Sequence, residues 1–291
     1  MIILLFTVTA LALGYALGYD ACAAEKVGPR EIWESEEYRS VPRKPPATFT
    51  KLGLEISPEV YWIFYEEPSL SVEWTGIMYG ANVTLTQRLK SRPIVGRLET
   101  HYAAGRVDYD GFLSNGTPHD DQGTDWILDS RLLLGYETAM GPSTVTPFLG
   151  IAFRYWFDDL ESVNAYRRQV RYLYSPLGLE TLTPLAGNWS WGARAEFDLF
   201  WRGWVDSHLE DVNASFNTVK NTQKQGFGAR GSVYFKREGE KWSVAIEPFI
   251  RYWDIDDSDT APLTFSGVLI GSGVEPANRT VESGLQVSVL F

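Results

Sequence analysis

Polar and apolar residues alternate along the chain beyond about residue 50, most strictly in its last segment. One face of this segment carries Val281, Leu285, Val287, Val289 and Phe291. The other face carries Glu282, Gln286 and Ser288. Successive side chains of a β-strand point to opposite faces of its sheet, so a period of two predicts a strand with one apolar and one polar face. The segment therefore predicts a sheet that separates two different surroundings.

The same alternation predicts ten strands in all. They cover residues 54–65, 73–89, 94–107, 125–138, 145–157, 171–183, 189–205, 226–236, 242–255 and 280–291. The tight turns lie at 90–93, 140–143, 185–188 and 237–240. The connections on the other side are longer loops at 108–124, 158–170, 206–225 and 256–279, together with one short loop at 66–71. Tight turns at one end and long loops at the other are typical of transmembrane barrels. The predicted fold class is all-β, a transmembrane antiparallel up-and-down β-barrel of about ten strands.

The alternating last strand and its terminal Phe291 resemble the closing strand of Gram-negative outer-membrane β-barrels. Segments 171–178 and 248–258 are similar to parts of small, poorly characterised barrels of that class. The resemblance implies an integral protein of the bacterial outer membrane, in contact with outer-membrane lipid and lipopolysaccharide. It also implies that the barrel-assembly machinery reads Phe291. Both termini would then lie in the periplasm, because the predicted number of strands is even.

The first 50 residues follow a different pattern. An apolar run at 2–17 and the small residues at 21–24 predict a signal peptide over residues 1–23, although no Lys or Arg precedes the run. Residues 24–50 are polar and proline-bearing, and we expect a periplasmic tail there. Residues 51–291 remain for the barrel. Loss of the signal peptide removes Cys22, the single cysteine, and with it thiol chemistry. A membrane anchor and an acylated Cys22 are the alternatives.

Charge and aromatic content narrow the classes of function. A net charge of −11 argues against nucleic-acid binding. Trp126, Trp156 and Trp253 lie near predicted strand ends, where aromatic girdles meet the membrane surface. The chain has no phosphate-binding loop, zinc motif or dinucleotide fingerprint, so we expect no cofactor. No lipid-facing strand shows a polar seam, and a monomer is therefore expected.

Charged residues of both signs fall on the inward faces of the predicted strands. They include Glu59, Glu99, Asp129, Arg131, Arg154, Arg202, Arg230, Arg251 and Glu282. A barrel of about eight strands is filled by its side chains, whereas aqueous pores need about sixteen. Because unpaired buried charges are costly, we expect salt bridges that close the lumen. A narrow selective channel is the alternative for the same residues.

Two short acidic motifs occur where predicted strands enter long loops. They are Asp108-Tyr109-Asp110 after the third strand and Asp206-Ser207-His208 after the seventh. With ten strands, they resemble the omptin proteases, outer-membrane enzymes that cleave peptides next to basic residues. The resemblance implies that Asp108, Asp110, Asp206 and His208 activate a water, with His208 as general base. Strand parity, however, points the first pair outward and the second pair inward. Solvated loop acids are the alternative interpretation.

The outer loops also carry aromatic residues among acids. The candidate contact surface for a ligand or partner consists of Tyr109, Phe112, Tyr166 and Phe216. Two acidic groups offer oxygen ligands of the kind Ca²⁺ accepts: His119-Asp120-Asp121, and the set Asp254, Asp256, Asp257 and Asp259. Their spacing matches no metal motif, so no metal site is expected. The sequence predicts a non-enzymatic barrel with a closed, salt-bridged interior and ligand- or partner-binding outer loops.

Overall fold

A computed structural model describes residues 52–112, 116–163 and 165–291 of the chain. The signal peptide predicted at 1–23 and the tail predicted at 24–50 lie outside these residues. Within them the chain consists of β-strands and connections, with a short 3₁₀ turn at Leu209–Asp211. No helix in this part of the chain is long and apolar enough to cross a membrane.

The described residues form fourteen strands, numbered along the chain. The first seven are β1 (Gly53–Glu67), β2 (Val72–Arg88), β3 (Ile94–Phe112), β4 (Pro118–Tyr136), β5 (Thr138–Met140), β6 (Ser143–Asp158) and β7 (Arg168–Pro184). The other seven are β8 (Trp189–Ser207), β9 (Val219–Gln223), β10 (Gly226–Arg237), β11 (Ser243–Ile255), β12 (Ala261–Phe265), β13 (Val268–Gly273) and β14 (Asn278–Leu290).

Ten of these strands close into an antiparallel barrel. Their order around the ring is β1, β2, β3, β4, β6, β7, β8, β10, β11 and β14. β14 returns to β1, where Val60 lies opposite Leu285 on one side and opposite Tyr79 on the other. β5 and β9 pair with β6 and β8, and β12 pairs with β13 in a separate hairpin. The predicted ten-stranded up-and-down barrel is confirmed.

Exposure of the side chains alternates along the barrel strands, as the sequence pattern predicts. On β1, Val60 and Trp62 are 41% and 40% exposed, whereas Tyr61 and Ile63 beside them are each 1% exposed. One face of each strand meets the surroundings of the barrel and the other meets its interior. Alternation of apolar and polar residues is therefore set by two environments rather than by intrinsic strand preference.

An apolar band surrounds the outside of the barrel. Towards the long loops it ends near Phe64 on β1, Phe157 on β6 and Leu173 on β7. Polar residues such as Glu66 and Arg171 follow on the same outward faces. We place the outer membrane surface at this level, and the short turns on the periplasmic side.

Three connections predicted as loops contain strands, so those predictions are wrong. β3 continues to Phe112 and β4 begins at Pro118, so most of 108–124 is a paired hairpin. Residues 206–225 include β9, and residues 256–279 include β12 and β13. Beyond the apolar band, outward side chains such as Asp108 and Gln122 are polar. The hydrophobic alternation therefore ends there, although backbone pairing continues.

A β-bulge in β8 reverses the faces predicted for the end of that strand. The register across β7 and β8 pairs Leu173 with Arg202 and Tyr174 with Phe200. Trp201 thus has no partner in this ladder, and the alternation shifts by one residue. Arg202, predicted inward, is exposed on the outer face. Asp206, also predicted inward, lies on the outer face and pairs with Arg171 at 2.7 Å.

Candidate functional site

The centre of the barrel is filled by two groups of ion pairs. In the first, Arg154 on β6 pairs with Glu282 on β14, five steps around the ring of ten strands. Arg251 lies 3.0 Å from Glu282 and 2.9 Å from Glu59, and His101 Nε2 lies 2.7 Å from Glu59. All five side chains are at most 10% exposed. This group joins opposite walls of the barrel.

The second group of ion pairs joins β4, β8 and β10. Arg230 lies 2.8 Å from both Asp129 and Asp198. Arg131 pairs with Glu196, and its side chain is 8% exposed. Each guanidinium therefore has at least one carboxylate partner, which offsets the cost of burying its charge. The salt bridges predicted for the interior are present in both groups.

A cavity of about 470 Å³ lies between the ion pairs and the end with short turns. Its wall includes Ser57, Asn82, Arg97, Glu99, Glu180 and Arg194. Arg194 lies 3.1 Å from both Glu99 and Glu180. Arg131 and Arg251 also line the cavity, so the central ion pairs form its inner end. Charges of both signs neutralise each other in this wall, which gives it no strong preference for anions or cations.

Aromatic side chains fill the lumen between the central ion pairs and the long-loop end. Tyr65 meets Trp74 and Trp156 edge to face, with ring centroids 4.6 and 5.3 Å apart. Tyr174 meets Trp253 at 4.9 Å. All five rings are at most 3% exposed. The girdle positions predicted for Trp156 and Trp253 are therefore wrong, because both rings face the lumen.

Beyond this aromatic layer, four carboxylates surround one guanidinium in what we call the mouth cluster. Its members are Glu67 on β1, Asp125 on β4, Asp158 on β6, Arg168 on β7 and Glu275 between β13 and β14. Arg168 lies 3.0 Å from Glu67, 3.5 Å from Asp158 and 3.4 Å from Glu275. No member is more than 7% exposed.

Burial changes the acidity of the mouth cluster. Asp158 and Arg168 lie beyond the apolar band of their strands, and Glu275 lies in a loop, so they are outside the membrane-spanning segments. Burial raises the pKa of Asp158 to about 6 and that of Glu275 to about 7, although Arg168 opposes both shifts. The cluster can therefore bind and release protons near neutral pH.

The residues of the predicted catalytic site are not brought together. Asp108 and Asp110 are exposed on the outward face of β3, as parity predicts. Asp206 lies on the outward face of β8, four steps around the ring from β3. His208 follows the end of β8, and its Nδ1 lies 2.9 Å from Glu210. The inward direction predicted for Asp206 is wrong, because the bulge shifts the end of β8, and His208 lies beyond that strand. The pair Asp108 and Asp110 and the pair Asp206 and His208 therefore do not enclose a common site for a water molecule.

The four aromatic residues predicted as a contact surface do not share one face. Tyr109 packs inward, with its ring 4.9 Å from that of Trp74. Phe112 is exposed at the end of β3, and Tyr166 is half-buried before β7. Phe216 packs edge to face on Phe265 at 5.1 Å. Tyr109, predicted on the outer contact surface, thus packs into the lumen instead, and the four residues do not form one shared surface.

The two acidic groups considered for Ca²⁺ take part in other contacts. His119 Nε2 lies 3.6 Å from Asp121, and Asp257 accepts a hydrogen bond from the backbone of Ala277 at 2.6 Å. Asp259 accepts one from the backbone of Thr222, also at 2.6 Å. Within the part of the chain that the structure describes, no group of three or more His, Cys, Asp or Glu is arranged to hold a metal ion.

The hairpin of β12 and β13 presents apolar side chains to the outside. Val268, Leu269 and Ile270 are 65%, 66% and 55% exposed. Among the residues that the structure describes, β13 pairs with β12 alone, so its other edge is open to them. Ser266 and Gly267 have φ of 51° and 79°, and two left-handed residues make the tight turn that hairpins favour.

Sequence reasoning missed both the hairpin and the mouth cluster. The run at 268–270 between Gly267 and Gly271 is a recognisable hairpin signal, and it could have been found. The mouth cluster had no such signal. Glu275 meets Arg168 only because the connection between β13 and β14 crosses the ring, and no local pattern records that contact.

Comparison with known proteins agrees on the fold. No family model matches the sequence, and no curated protein matches it. The chain is similar to the outer membrane protease OmpT from Escherichia coli, with a TM-score of 0.60 and 9% identity over 84% of this chain and 98% of that one. OprG from Pseudomonas aeruginosa matches with a TM-score of 0.35 and 12% identity, over 82% of this chain and 95% of its own.

A third structure, a major outer membrane protein from Thermus thermophilus, has a TM-score of 0.37 and 14% identity over 82% of this chain and 99% of its own. The TM-scores of OprG and the Thermus protein are below 0.5, so the comparison rests on OmpT, which at 9% identity shows the fold and no activity. The chain is an integral outer-membrane β-barrel, as the resemblance in the sequence implies. Contacts with lipopolysaccharide, recognition of Phe291 by the assembly machinery and the monomeric state stay predictions.

Proposed function

We propose that this integral outer-membrane β-barrel is closed to solutes and works as a binding protein at the cell surface. Its contact surface would be the open edge of β13, and its partner an extended peptide segment that adds to this edge as a further strand. The single observation that carries the proposal is an ordered apolar strand edge on a barrel whose interior is filled.

The filled interior supports the closed state. Ion pairs occupy the centre, with Arg154 and Glu282 at most 2% exposed. Above them, Trp74 and Trp156 are each 3% exposed. Barrels of about eight strands are normally filled by side chains, and ten strands are close to this size. A solute would have to separate buried charges and aromatic contacts in order to pass.

The open edge of β13 supports strand addition. An edge strand offers unpaired backbone N–H and C=O groups, which water-soluble surfaces usually protect with charge, proline or a covering segment. Val268, Leu269 and Ile270 provide none of these protections. Binding by strand addition takes affinity from backbone hydrogen bonds and specificity from alternate side chains. An extended peptide with alternating apolar residues fits this edge.

The hairpin is held in place by the loop before β9. Asn217 accepts a hydrogen bond from the backbone of Thr264 at 2.6 Å, and Ser266 donates one to the backbone of Ser215 at 2.7 Å. The rings of Phe216 and Phe265 pack beside these bonds. A surface fixed before binding loses less conformational entropy when the partner arrives.

Charge around the hairpin favours a basic partner. The connection that carries it, residues 256–277, contains Asp256, Asp257, Asp259 and Glu275 and no Lys or Arg. Asp256 is exposed, and a negative surface attracts cations and speeds their association. The partner we propose therefore has Lys or Arg residues next to its alternating apolar residues.

The two alternative functions have less support. A narrow channel needs a water path, which the ion pairs and aromatic rings would have to leave open. An omptin-like endopeptidase needs Asp108 and His208 at one water, whereas Asp108 is exposed on the outward face of β3 and His208 follows the end of β8, four steps around the ring, with its Nδ1 against Glu210.

Peptide binding to the refolded barrel tests the proposal. The probe is a fluorescent peptide of alternating Val and Lys, and its binding is followed by fluorescence anisotropy. A scrambled peptide with central prolines, which cannot form a ladder, is the ligand control. We expect the alternating peptide to bind and the proline peptide not to bind. Equal behaviour of the two peptides would overturn strand addition.

A matched pair of variants locates the binding surface. The triple variant Val268→Asn, Leu269→Asn, Ile270→Asn should weaken binding by at least about tenfold, or 1.4 kcal/mol. The control is Leu70→Asn, Val212→Asn, which changes two other exposed apolar residues near the loops. The control should bind as the natural sequence does. Unchanged binding by the triple variant would remove β13 as the surface.

A further inference from the structure

The connection between β11 and β14 crosses the open end of the barrel. We call residues 256–277 the strap. Gln223 of β9 donates to the backbone of Asp256 at 3.2 Å, and Asn221 donates to the backbone of Asp259 at 2.7 Å. Near its other end the strap places Glu275 beside Arg168 of β7, four steps around the ring from β14. The strap therefore joins one side of the barrel mouth to the other.

Few contacts fix the end of the strap that carries Glu275. The backbone of Glu275 bonds with Ser258, which is itself part of the strap. Asn278, at the start of β14, is 2% exposed and donates to the backbone of Pro276. Asn221 of β9 donates to the backbone of Gly273 at 3.1 Å, and the ion pair of Glu275 with Arg168 is the contact that attaches this end to the opposite wall. Loss of that ion pair would release the Glu275 end from β7 without breaking the barrel ladder, while β9 still holds the rest of the strap.

The mouth cluster has too few cations for its acids. Within the described residues, Arg168 is the single guanidinium facing four carboxylates, and no member of the cluster is more than 7% exposed. With every acid ionised, the cluster would carry three uncompensated negative charges in a poorly hydrated space. Such a state is costly, so the closed arrangement favours protonated acids.

The cluster is surrounded by few other ionisable groups. Those facing it from the elements packed around it are Tyr65 on β1, Tyr109 on β3, Asp159 and Tyr166 before β7, and Tyr172 on β7. None of them adds a positive charge. Arg168 therefore has to balance the cluster alone, and the balance changes with each proton that an acid loses.

We propose that the end of the strap that carries Glu275 is a pH-dependent cover of the barrel mouth, latched by Glu275 on Arg168, which is closed in acid and loosens as the pH rises. Opening of this end would expose the aromatic layer of Tyr65, Trp74 and Trp156 to the outside. The hairpin of β12 and β13 stays attached through Asn217 and Ser215. The cover does not depend on whether the hairpin binds a peptide.

The direction of the effect follows from the raised pKa values of the buried acids. Burial raises the pKa of Asp158 to about 6 and that of Glu275 to about 7 in the closed arrangement. When the strap opens, both acids return towards their ordinary values near 4. The stability of the closed strap is therefore complete below about pH 4 and is lost as the pH rises through 6 and 7.

Cysteine labelling on the strap measures opening directly. In a Cys22→Ser background, Ala261→Cys places a thiol at a position that is 5% exposed in the closed strap. Val268→Cys, at a position 65% exposed on the same hairpin, is the reference. The ratio of the two maleimide rates cancels most of the intrinsic pH dependence of the thiol. We expect this ratio to rise at least about tenfold between pH 5 and pH 8, the change that one unit of pKa produces.

Two glutamine variants separate the latch from a general effect of charge. Glu275→Gln keeps the shape of the side chain but cannot ionise, so only the contribution of Asp158 remains and the labelling ratio should rise clearly less than tenfold over the same range. Glu247→Gln changes an acid in the wall of the periplasmic cavity and should keep the natural profile. A flat profile in the natural sequence, or an unchanged slope in Glu275→Gln, would overturn the proposal. Because no peptide is present, failure of the binding function leaves this result unaffected.

Discussion

Arg154 on β6 and Glu282 on β14 form an ion pair across the full width of the lumen. Both side chains are at most 2% exposed, and Arg251 also contacts Glu282 at 3.0 Å. Desolvation of such charges is costly unless each finds its partner. The pair can therefore exist only in a barrel whose two walls hold their side chains at the same height. It ties the last third of the chain to the middle, and Arg251 extends the contact to Glu59 in the first third.

Removal of Glu282 should destabilise the barrel strongly. Glu282→Ala leaves Arg154 buried without its carboxylate, and breaking a buried pair in this way costs about 3–5 kcal/mol. The free energy of unfolding in urea, followed by tryptophan fluorescence in lipid vesicles, measures the loss. Arg106→Ala breaks an exposed pair with Glu161 and should cost less than about 1 kcal/mol. Equal losses in the two variants would mean that the central pair contributes no more than a surface pair.

Gly284 should tolerate no side chain, whereas Gly96 should tolerate one. A Cβ at Gly284 would lie 2.3 Å from the carbonyl oxygen of Val60 and 2.4 Å from the Cβ of Tyr61, but a Cβ at Gly96 meets nothing within 4 Å. Gly284→Ala should therefore lower the free energy of unfolding by about 1–3 kcal/mol through overpacking. Gly96→Ala should leave it unchanged or raise it slightly. The same urea titration checks both, and a neutral Gly284→Ala would show that β1 and β14 are less tightly paired there.

The refolded protein should not cleave peptides with paired basic residues. Asp206 lies on the outer face of β8 beside Arg171, and His208 Nδ1 contacts Glu210, so the two residues are engaged away from Asp108 on β3. Fluorogenic peptides in the presence of lipopolysaccharide provide the assay, with His208→Ala as control. We expect the same background rate from both proteins. Cleavage that disappears in His208→Ala would contradict this arrangement and restore the protease interpretation.

Phe291 should matter for assembly in cells more than for stability. Its side chain is 56% exposed, and its backbone N–H donates to Leu54 at 2.8 Å, a bond that any residue can form. Phe291→Ser should reduce the amount of heat-modifiable barrel in the outer membrane and leave the urea midpoint of refolded protein unchanged. Val287→Ser, on the same outward face, should assemble normally. A drop in both variants would indicate a general loss of apolar surface.

The barrel fold could be predicted from the sequence because each spanning strand meets two environments. Val60, Trp62 and Leu285 face outward, Tyr61 and Glu282 face inward, and this alternation can be read residue by residue. Inward charges such as Arg131 and Arg230 also predicted the ion-pair network, since a barrel of this size leaves them no water.

The candidate site was harder to predict from the sequence, for two physical reasons. A bulge at Trp201 shifts the register by one residue, so every later side chain in β8 points to the opposite face. No pattern of apolar residues predicts this bulge. The mouth cluster depends on where the strap crosses the ring, and Glu275 finds Arg168 through tertiary geometry alone. Above the membrane the outward residues are polar, so apolar and polar residues no longer alternate there, even where the backbone is still paired, as at the end of β3.

Single-channel recording in planar bilayers tests the closed lumen most directly. The refolded barrel, checked for heat modifiability, is inserted at neutral pH and moderate salt, with Glu282→Ala as a variant whose central ion pair is broken. We predict no steady ion current through the natural sequence, because the pair of Arg154 with Glu282 and the rings of Tyr65, Trp74 and Trp156 fill the lumen. A stable, reproducible conductance step in the natural sequence would contradict a closed barrel and return the narrow channel as its function.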